Sequence, residues 1–123
     1  MRTNIQRLLI VADEKQIVED LLEYFESKGF EAEIALNSKT AISIINERKM
    51  DLIIIGLKGP EHIDIVVNVI EEINNTNPEI PMIVIGGEKS KRTENKFVKA
   101  GAAKHCHNPI EKDELLDEIK CFL

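Results

Sequence analysis

A doubly wound α/β fold, one parallel sheet covered by helices on both faces, is predicted by three features of the chain. Short apolar runs at residues 8–11, 32–36, 52–55, 82–85 and 102–107 alternate with amphipathic segments. The third and fourth runs are continuously apolar and rich in β-branched residues, as a parallel strand buried on both faces requires. Strict βα alternation with right-handed crossovers then places helices on either side of the sheet and ligand chemistry at the carboxyl ends of the strands. The 123 residues form a single domain over 1–123, because a chain of this size buries roughly two thirds of its unfolded surface without disulfide or metal staples.

Each element has its own signal. The alternation Glu31-Ala32-Glu33-Ile34-Ala35 predicts an edge strand. Ile17, Val18, Leu21, Leu22 and Phe25 fall at helical spacing, and Gly29 stops that first helix. Ala41, Ile42, Ile44 and Ile45 mark the second helix, and Val66, Val67, Ile70 and Ile73 the third, which ends in Asn74-Asn75-Thr76-Asn77-Pro78 before Pro81 leads into the next strand. Segment 88–100 has only Phe97, Val98 and Ala100 as substantial apolar residues and reads as a weakly anchored fourth helix. Leu115, Leu116, Ile119, Phe122 and Leu123 carry the fifth.

Composition narrows the function. Twenty-two acidic against 16 basic residues give a net charge of −6, which argues against duplex DNA or an anionic membrane as the principal partner. The N-terminal residues 1–7 run directly into a strand, and no stretch approaches the ~18 apolar residues of a membrane span; a cytoplasmic location is expected. Cys106 and Cys121, with fourteen residues between them, fit neither a redox pair nor a zinc ribbon and read as reduced thiols. Within 88–99, Lys89, Lys91, Arg92, Lys96 and Lys99 outnumber Glu88 and Glu94, whereas 111–120 is acidic. Such neighbouring opposite charges either set the register of a partner contact or are ordinary solvated helix faces.

The strand ends carry a resemblance. Leu9-Ile10-Val11-Ala12-Asp13-Glu14, Asp51-Leu52-Ile53-Ile54-Ile55-Gly56-Leu57-Lys58-Gly59-Pro60, Pro81-Met82-Ile83-Val84-Ile85-Gly86-Gly87 and Lys104-His105-Cys106-His107-Asn108-Pro109-Ile110 resemble, in order and at the right intervals, the receiver domain of response regulators. The likeness spans essentially the whole chain and loosens after Pro60, where the family's Met-Asp-Gly is missing. It implies a CheY-like, flavodoxin-like (βα)5 three-layer sandwich with strand order 2-1-3-4-5. A receiver accepts a phosphoryl group on an aspartate ending the third strand. Mg²⁺ is held there by acids after the first strand, the acceptor and a backbone carbonyl, and a Thr or Ser and a Lys grip the phosphoryl oxygens.

Residue by residue, the resemblance implies a degenerate phosphorylation pocket. Ala12 stands at the first acid and Asp13, beside Glu14, at the second; Gly56 replaces the acceptor, Gly86 the Thr or Ser, and Asn108 the Lys. Glycine carries no nucleophile, so a pseudo-receiver without enzymatic activity is expected. Asp51 starts the third strand about 16 Å away at strand rise; Glu61 and Asp64 would approach only with a rearranged loop. Asp13 followed by Gln16 has the spacing of a helix N-cap and its box partner, a reading preferred to metal ligation, so no cofactor is expected and weak Mg²⁺ binding at Asp13 is the lesser alternative. Lys58 either reaches over the pocket to Asp13 or Glu14 or is a solvated loop lysine. Gly86-Gly87 lack the wider pattern of a phosphate-cradling loop and read as a flexible one.

His105 and His107, two apart on the fifth strand, share a face, with Cys106 opposite. Zn²⁺ binding would require a third ligand such as Cys121; partly exposed residues of an interaction face are the preferred reading, and no metal site is assigned. The face is expected to comprise Lys91, Glu94 and Val98 of the fourth helix beside His105, His107 and Ile110 at an edge strand. The function expected is a two-component, phosphorelay-type signalling module that binds protein partners independently of phosphorylation. A phosphorelay receiver with a displaced acid, or a small-ligand or metal binder in the vacated pocket, are the alternatives. Expected partners are a signalling protein, a histidine kinase or another regulator, or a second copy through the fourth helix, fifth strand and fifth helix. The chain stops after the fifth helix, so output through a partner rather than an attached output domain is expected.

Overall fold

The computed structural model describes residues 5–123; residues 1–4, the start of the segment read as leading into the first strand, lie outside the described residues. The order is β1 (Arg7–Val11), α1 (Lys15–Ser27), β2 (Glu31–Ala35), α2 (Ser38–Glu47), β3 (Leu52–Gly56), a 3-10 turn (Pro60–His62), α3 (Ile63–Thr76), β4 (Met82–Ile85), α4 (Lys91–Ala100), β5 (Lys104–Cys106) and α5 (Lys112–Lys120). All strands pair in parallel in the order β2-β1-β3-β4-β5. Val11 stands beside Ala35 on one side and Ile55 on the other, Gly56 faces Ile85, and Val84 faces His105.

The continuous apolar runs divide between two cores. Leu9, Val11, Ile53, Ile55, Met82 and Val84 point to the side packed by Ala41 and Ile45 of α2, Val66, Ile70 and Ile73 of α3, and Phe97 of α4. Leu8, Ile10, Leu52, Ile54, Ile83 and Cys106 point to the side packed by Val18, Leu21 and Phe25 of α1 and Leu115, Leu116 and Ile119 of α5. A strand alternates its side chains between faces, so when both faces are covered every position is apolar. The fifth strand is shorter than its apolar pattern suggests, and Phe122 and Leu123 lie beyond α5, each 38% exposed, rather than in its core stripe.

Helix ends follow local chemistry. After α1, Gly29 takes φ +94°, its N–H bonds to Glu26 O and the Phe30 N–H to Phe25 O. This Schellman arrangement brings Phe25 and Phe30 edge to face at 6.0 Å between ring centroids. Asn37 caps α2 by accepting from the Thr40 N–H, Ser90 caps α4 through the Thr93 N–H, and Glu111 and Glu114 form a reciprocal capping box on α5. Tyr24 on α1 donates its hydroxyl to Asp113 at α5, and that bond, with burial second, raises the phenol to about 12.

At the amino end of the sheet, Asp51 Oδ2 accepts from the Arg7 N–H at 2.8 Å, so this aspartate ties β1 to the turn before β3. Both edges carry charge. Arg48 grips Glu33 of β2 through two hydrogen bonds of 2.6 Å, Arg7 meets Glu31 at 3.0 Å, and Lys104 of β5 meets Glu118 at 2.8 Å.

Phe97 is the only fully buried residue of α4, while Val98 beside it is 49% exposed. Phe97→Ala is expected to lower stability by about 3–5 kcal/mol and Val98→Ala by no more than about 0.5 kcal/mol, measured by urea denaturation. Equal losses would mean that α4 is seated on a different face.

Candidate functional site

The carboxyl ends of β1, β3 and β4 and the loop after β5 enclose a cleft of about 310 Å³. All seven residues of the expected pocket line it: Ala12, Asp13, Glu14, Gly56, Lys58, Gly86 and Asn108. Its remaining wall includes Ile17, Asp20 and Leu21 of α1, Leu57, and Ile110, Lys112 and Leu115 around α5. A second cleft of about 200 Å³ opens toward α2 and α3; it shares Ala12, Asp13, Gly56 and Lys58 and adds an apolar wall with His62. Sequence reasoning missed this second lobe, although the apolar Leu36 and Ile65 that line it, both more than half exposed, were an available signal.

Gly56 closes β3 against Ala12. A Cβ built on Gly56 would stand 2.9 Å from the Ala12 Cβ, so two small residues meet at the floor shared by both clefts. The side chains around them supply three carboxylates, from Asp13, Glu14 and Asp20, and two ammonium groups, from Lys58 and Lys112. Among the described residues no carboxylate lies within ion-pairing distance of Lys58, so it bridges to neither Asp13 nor Glu14. Gly56 ends β3, Gly86 directly follows β4, and Asn108 directly precedes Pro109, so none of these three positions carries a carboxylate, a hydroxyl or an ammonium group.

Several expectations are corrected here. Asp13 does not cap α1: the helix starts at Lys15, Glu14 takes the cap position in extended conformation, and no side-chain cap bond forms. The cap lies one residue later than the Asp13 and Gln16 spacing implied, which leaves Asp13 exposed at the cleft. The Gly86-Gly87 segment bends between β4 and α4 with φ of +105° and +78° and with Leu57 packed against both glycines. His105 and His107 do not form an exposed pair. His105 is 4% exposed, with Nε2 2.7 Å from Gly86 O and its ring edge to face with Phe97 at 5.1 Å. The face-sharing argument overlooked that α4 covers this side of β5. His107 is half-buried and its Nδ1 lies 3.1 Å from Asn108 O. No three His, Cys, Asp or Glu side chains gather into a metal-binding group among the described residues.

Of the expected interaction face, Lys91 and Val98 are exposed and Glu94 half-exposed on α4. Ile110 packs instead against the α1 and α5 core while lining the cleft. Cys106 is buried in that same core, and burial pushes its thiol up. No helix among the described residues is long and apolar enough to cross a membrane.

A five-stranded parallel sheet of this order, with its cleft over the ends of β1 and β3, is the doubly wound flavodoxin-like architecture. Residues 8–120 match the response regulator receiver domain, and the chain belongs to that family. It is 33% identical over 115 residues to a putative response regulator, NtrX-like, of Rickettsia typhi, an alignment covering 92% of this chain and 24% of that protein. The chain thus spans about a quarter of the length of the Rickettsia relatives it matches. Among solved structures, a response regulator from Thermotoga maritima superposes with a TM-score of 0.84 at 22% identity, covering 97% of this chain and 98% of that one. The beryllofluoride-activated NtrC4 receiver domain dimer gives a TM-score of 0.79 at 29% identity, covering 94% of each.

The close approach at the floor is testable by a double-mutant cycle. Alanine in place of a strand glycine ordinarily gains roughly 0.5–1 kcal/mol. Here Gly56→Ala is expected to lose about 1–2 kcal/mol through overpacking, and Ala12→Gly in the same chain to restore more than half of it. Additive effects of the two changes in chemical denaturation would show that the residues do not touch.

Proposed function

We propose that this receiver domain works without aspartyl phosphorylation, as a non-enzymatic module whose output is protein binding. The observation that carries the reading is Gly56: it ends β3 on the cleft floor, offers no carboxylate, and is packed too closely on Ala12 for a longer side chain to be placed there without a shift. In-line phosphoryl transfer depends on positioning and charge stabilisation. Gly86 and Asn108 supply neither the hydroxyl nor the ammonium that would meet the phosphoryl oxygens. Glu61 and Asp64, the displaced acids, line neither cleft, so neither is offered as a relocated acceptor. The reading calls for no resident Mg²⁺, whose task in phosphoryl transfer is to neutralise the charge of the incoming group.

The partner we infer is a histidine kinase or another regulator of the cytoplasm, or a second copy, meeting α4 and its surroundings. Val98 offers exposed apolar surface among Lys91, Lys96 and Lys99, and the acidic α5 offers the complementary charge. The dimer of the NtrC4 receiver, 29% identical, supports a second copy as one such partner.

Incubation with Mg²⁺ and acetyl phosphate is expected to leave the intact mass unchanged. A gain of one phosphoryl group, mapped to any aspartate or glutamate at the cleft, would overturn the phosphorylation-independent reading. Lys91→Glu with Val98→Asp is expected to weaken self-association or kinase capture about tenfold or more with an unchanged melting temperature. Glu19→Ala with Glu23→Ala on α1 should leave both intact; the reverse pattern, read by sedimentation and pull-down, would put the interface on the wrong side of the sheet.

A further inference from the structure

Four residues line both clefts: Ala12 and Gly56 on the floor, Asp13 in the loop after β1 and Lys58 in the loop after β3. Asp13 and Lys58 carry opposite charges, yet they do not pair. Both are exposed, and neither has an ion-pair partner among the described residues. A pair exposed to water gains little by closing, so both groups stay available to a ligand that enters the cleft. The larger cleft holds three further charges. Lys112 directs its Nζ to the Tyr24 ring, 5.9 Å from the centroid, while Glu14 and Asp20 add carboxylates along α1, on the side of Asp13.

Around these charges the wall is apolar. Ile17 and Leu21 of α1, Leu57, Ile110 and Leu115 line the larger cleft, and Ile17 is 44% exposed there. Small-molecule sites combine such walls with a few polar groups that fix orientation, in volumes from roughly 300 Å³ upward; this cleft has about 310 Å³. The charges select the class of ligand. A simple anion would meet Lys58 but also three carboxylates. A simple amine would satisfy Asp13 and leave Lys58 unmatched. A molecule that carries an ammonium and a carboxylate on one carbon, with an apolar side chain beside them, matches all three parts of the site.

We propose that the larger cleft binds an apolar α-amino acid as a zwitterion. Its ammonium group meets Asp13, its carboxylate meets Lys58, and its side chain lies against Ile17, Leu21 and Leu115. The excess of carboxylates along α1 fixes the orientation, since it draws the ammonium to that side and the carboxylate to the β3 loop. The inference goes beyond the protein-binding reading: it gives the domain an input, occupancy of the cleft by a metabolite, where the resembling family uses a phosphoryl group. Two loops that make no ion pair with each other are joined by the bound molecule.

Amide NMR on the isotope-labelled full chain, titrated with L-leucine, L-isoleucine or L-phenylalanine to about 10 mM, tests the site. Saturable shifts of the Asp13, Ile17, Gly56 and Lys58 amides are expected with at least one of the three. Glycine, which has the charged head without the apolar body, should bind about tenfold more weakly or worse. So should isopentylamine and isocaproate, each of which keeps leucine's apolar body and only one of its charges. Asp13→Asn and Lys58→Met are each expected to weaken binding about tenfold while the melting temperature stays unchanged, because both side chains are exposed. The proposal is overturned if none of the three amino acids gives saturable shifts at those amides, if the amine or the acid alone binds as tightly, or if both variants keep wild-type affinity. These outcomes leave the acetyl phosphate result untouched, and a phosphoryl adduct would overturn the phosphorylation-independent reading without deciding whether an amino acid binds.

Discussion

Two-sided burial of the central strands is the constraint on which the rest of this domain depends. With β1, β3 and β4 covered on both faces, the polar backbone is satisfied within the sheet, and helices must shield either side. The loops at the carboxyl edge are then a region where charged groups gather beside the sheet without entering a core. Asp13, Glu14, Lys58 and Lys112 share a cleft because the crossovers deliver them there.

Within that cleft, the informative residues are small. Gly56 and Ala12 touch where larger, charged side chains stand in the resembling family, and Gly86 has exchanged a side chain for a backbone conformation. Removing a carboxylate from a site that also holds several like charges relieves repulsion among those that remain. Lys58, exposed and without a carboxylate partner among the described residues, is a solvated cation at the cleft.

The fold was legible in the sequence because period and punctuation agreed. The uninterrupted Leu52-Ile53-Ile54-Ile55 run and the Gly29 stop each have one economical explanation, and the structure has that form. The pocket residues were legible too, since a strand end is a fixed address in a parallel sheet. What failed were statements about single side chains. Asp13 and Gln16 matched a cap spacing, yet the helix began one residue later. His105 alternated correctly with Cys106 but was placed at the surface, because sequence alone did not show that Phe97 would bring α4 over it.

The ion pairs along the two open rims of the sheet bear on how copies of this domain can meet. A strand added beside β2 would have to desolvate Glu33 and its Arg48 clasp, and one added beside β5 would find three residues and the Lys104 and Glu118 pair. Exposed pairs of this kind contribute little to stability, but they make the rims costly to cover. Strand-to-strand growth, which repeats without limit, is thereby discouraged. Contact through helical surfaces is left as the less costly route, and when two like patches meet about a twofold axis they satisfy each other and close.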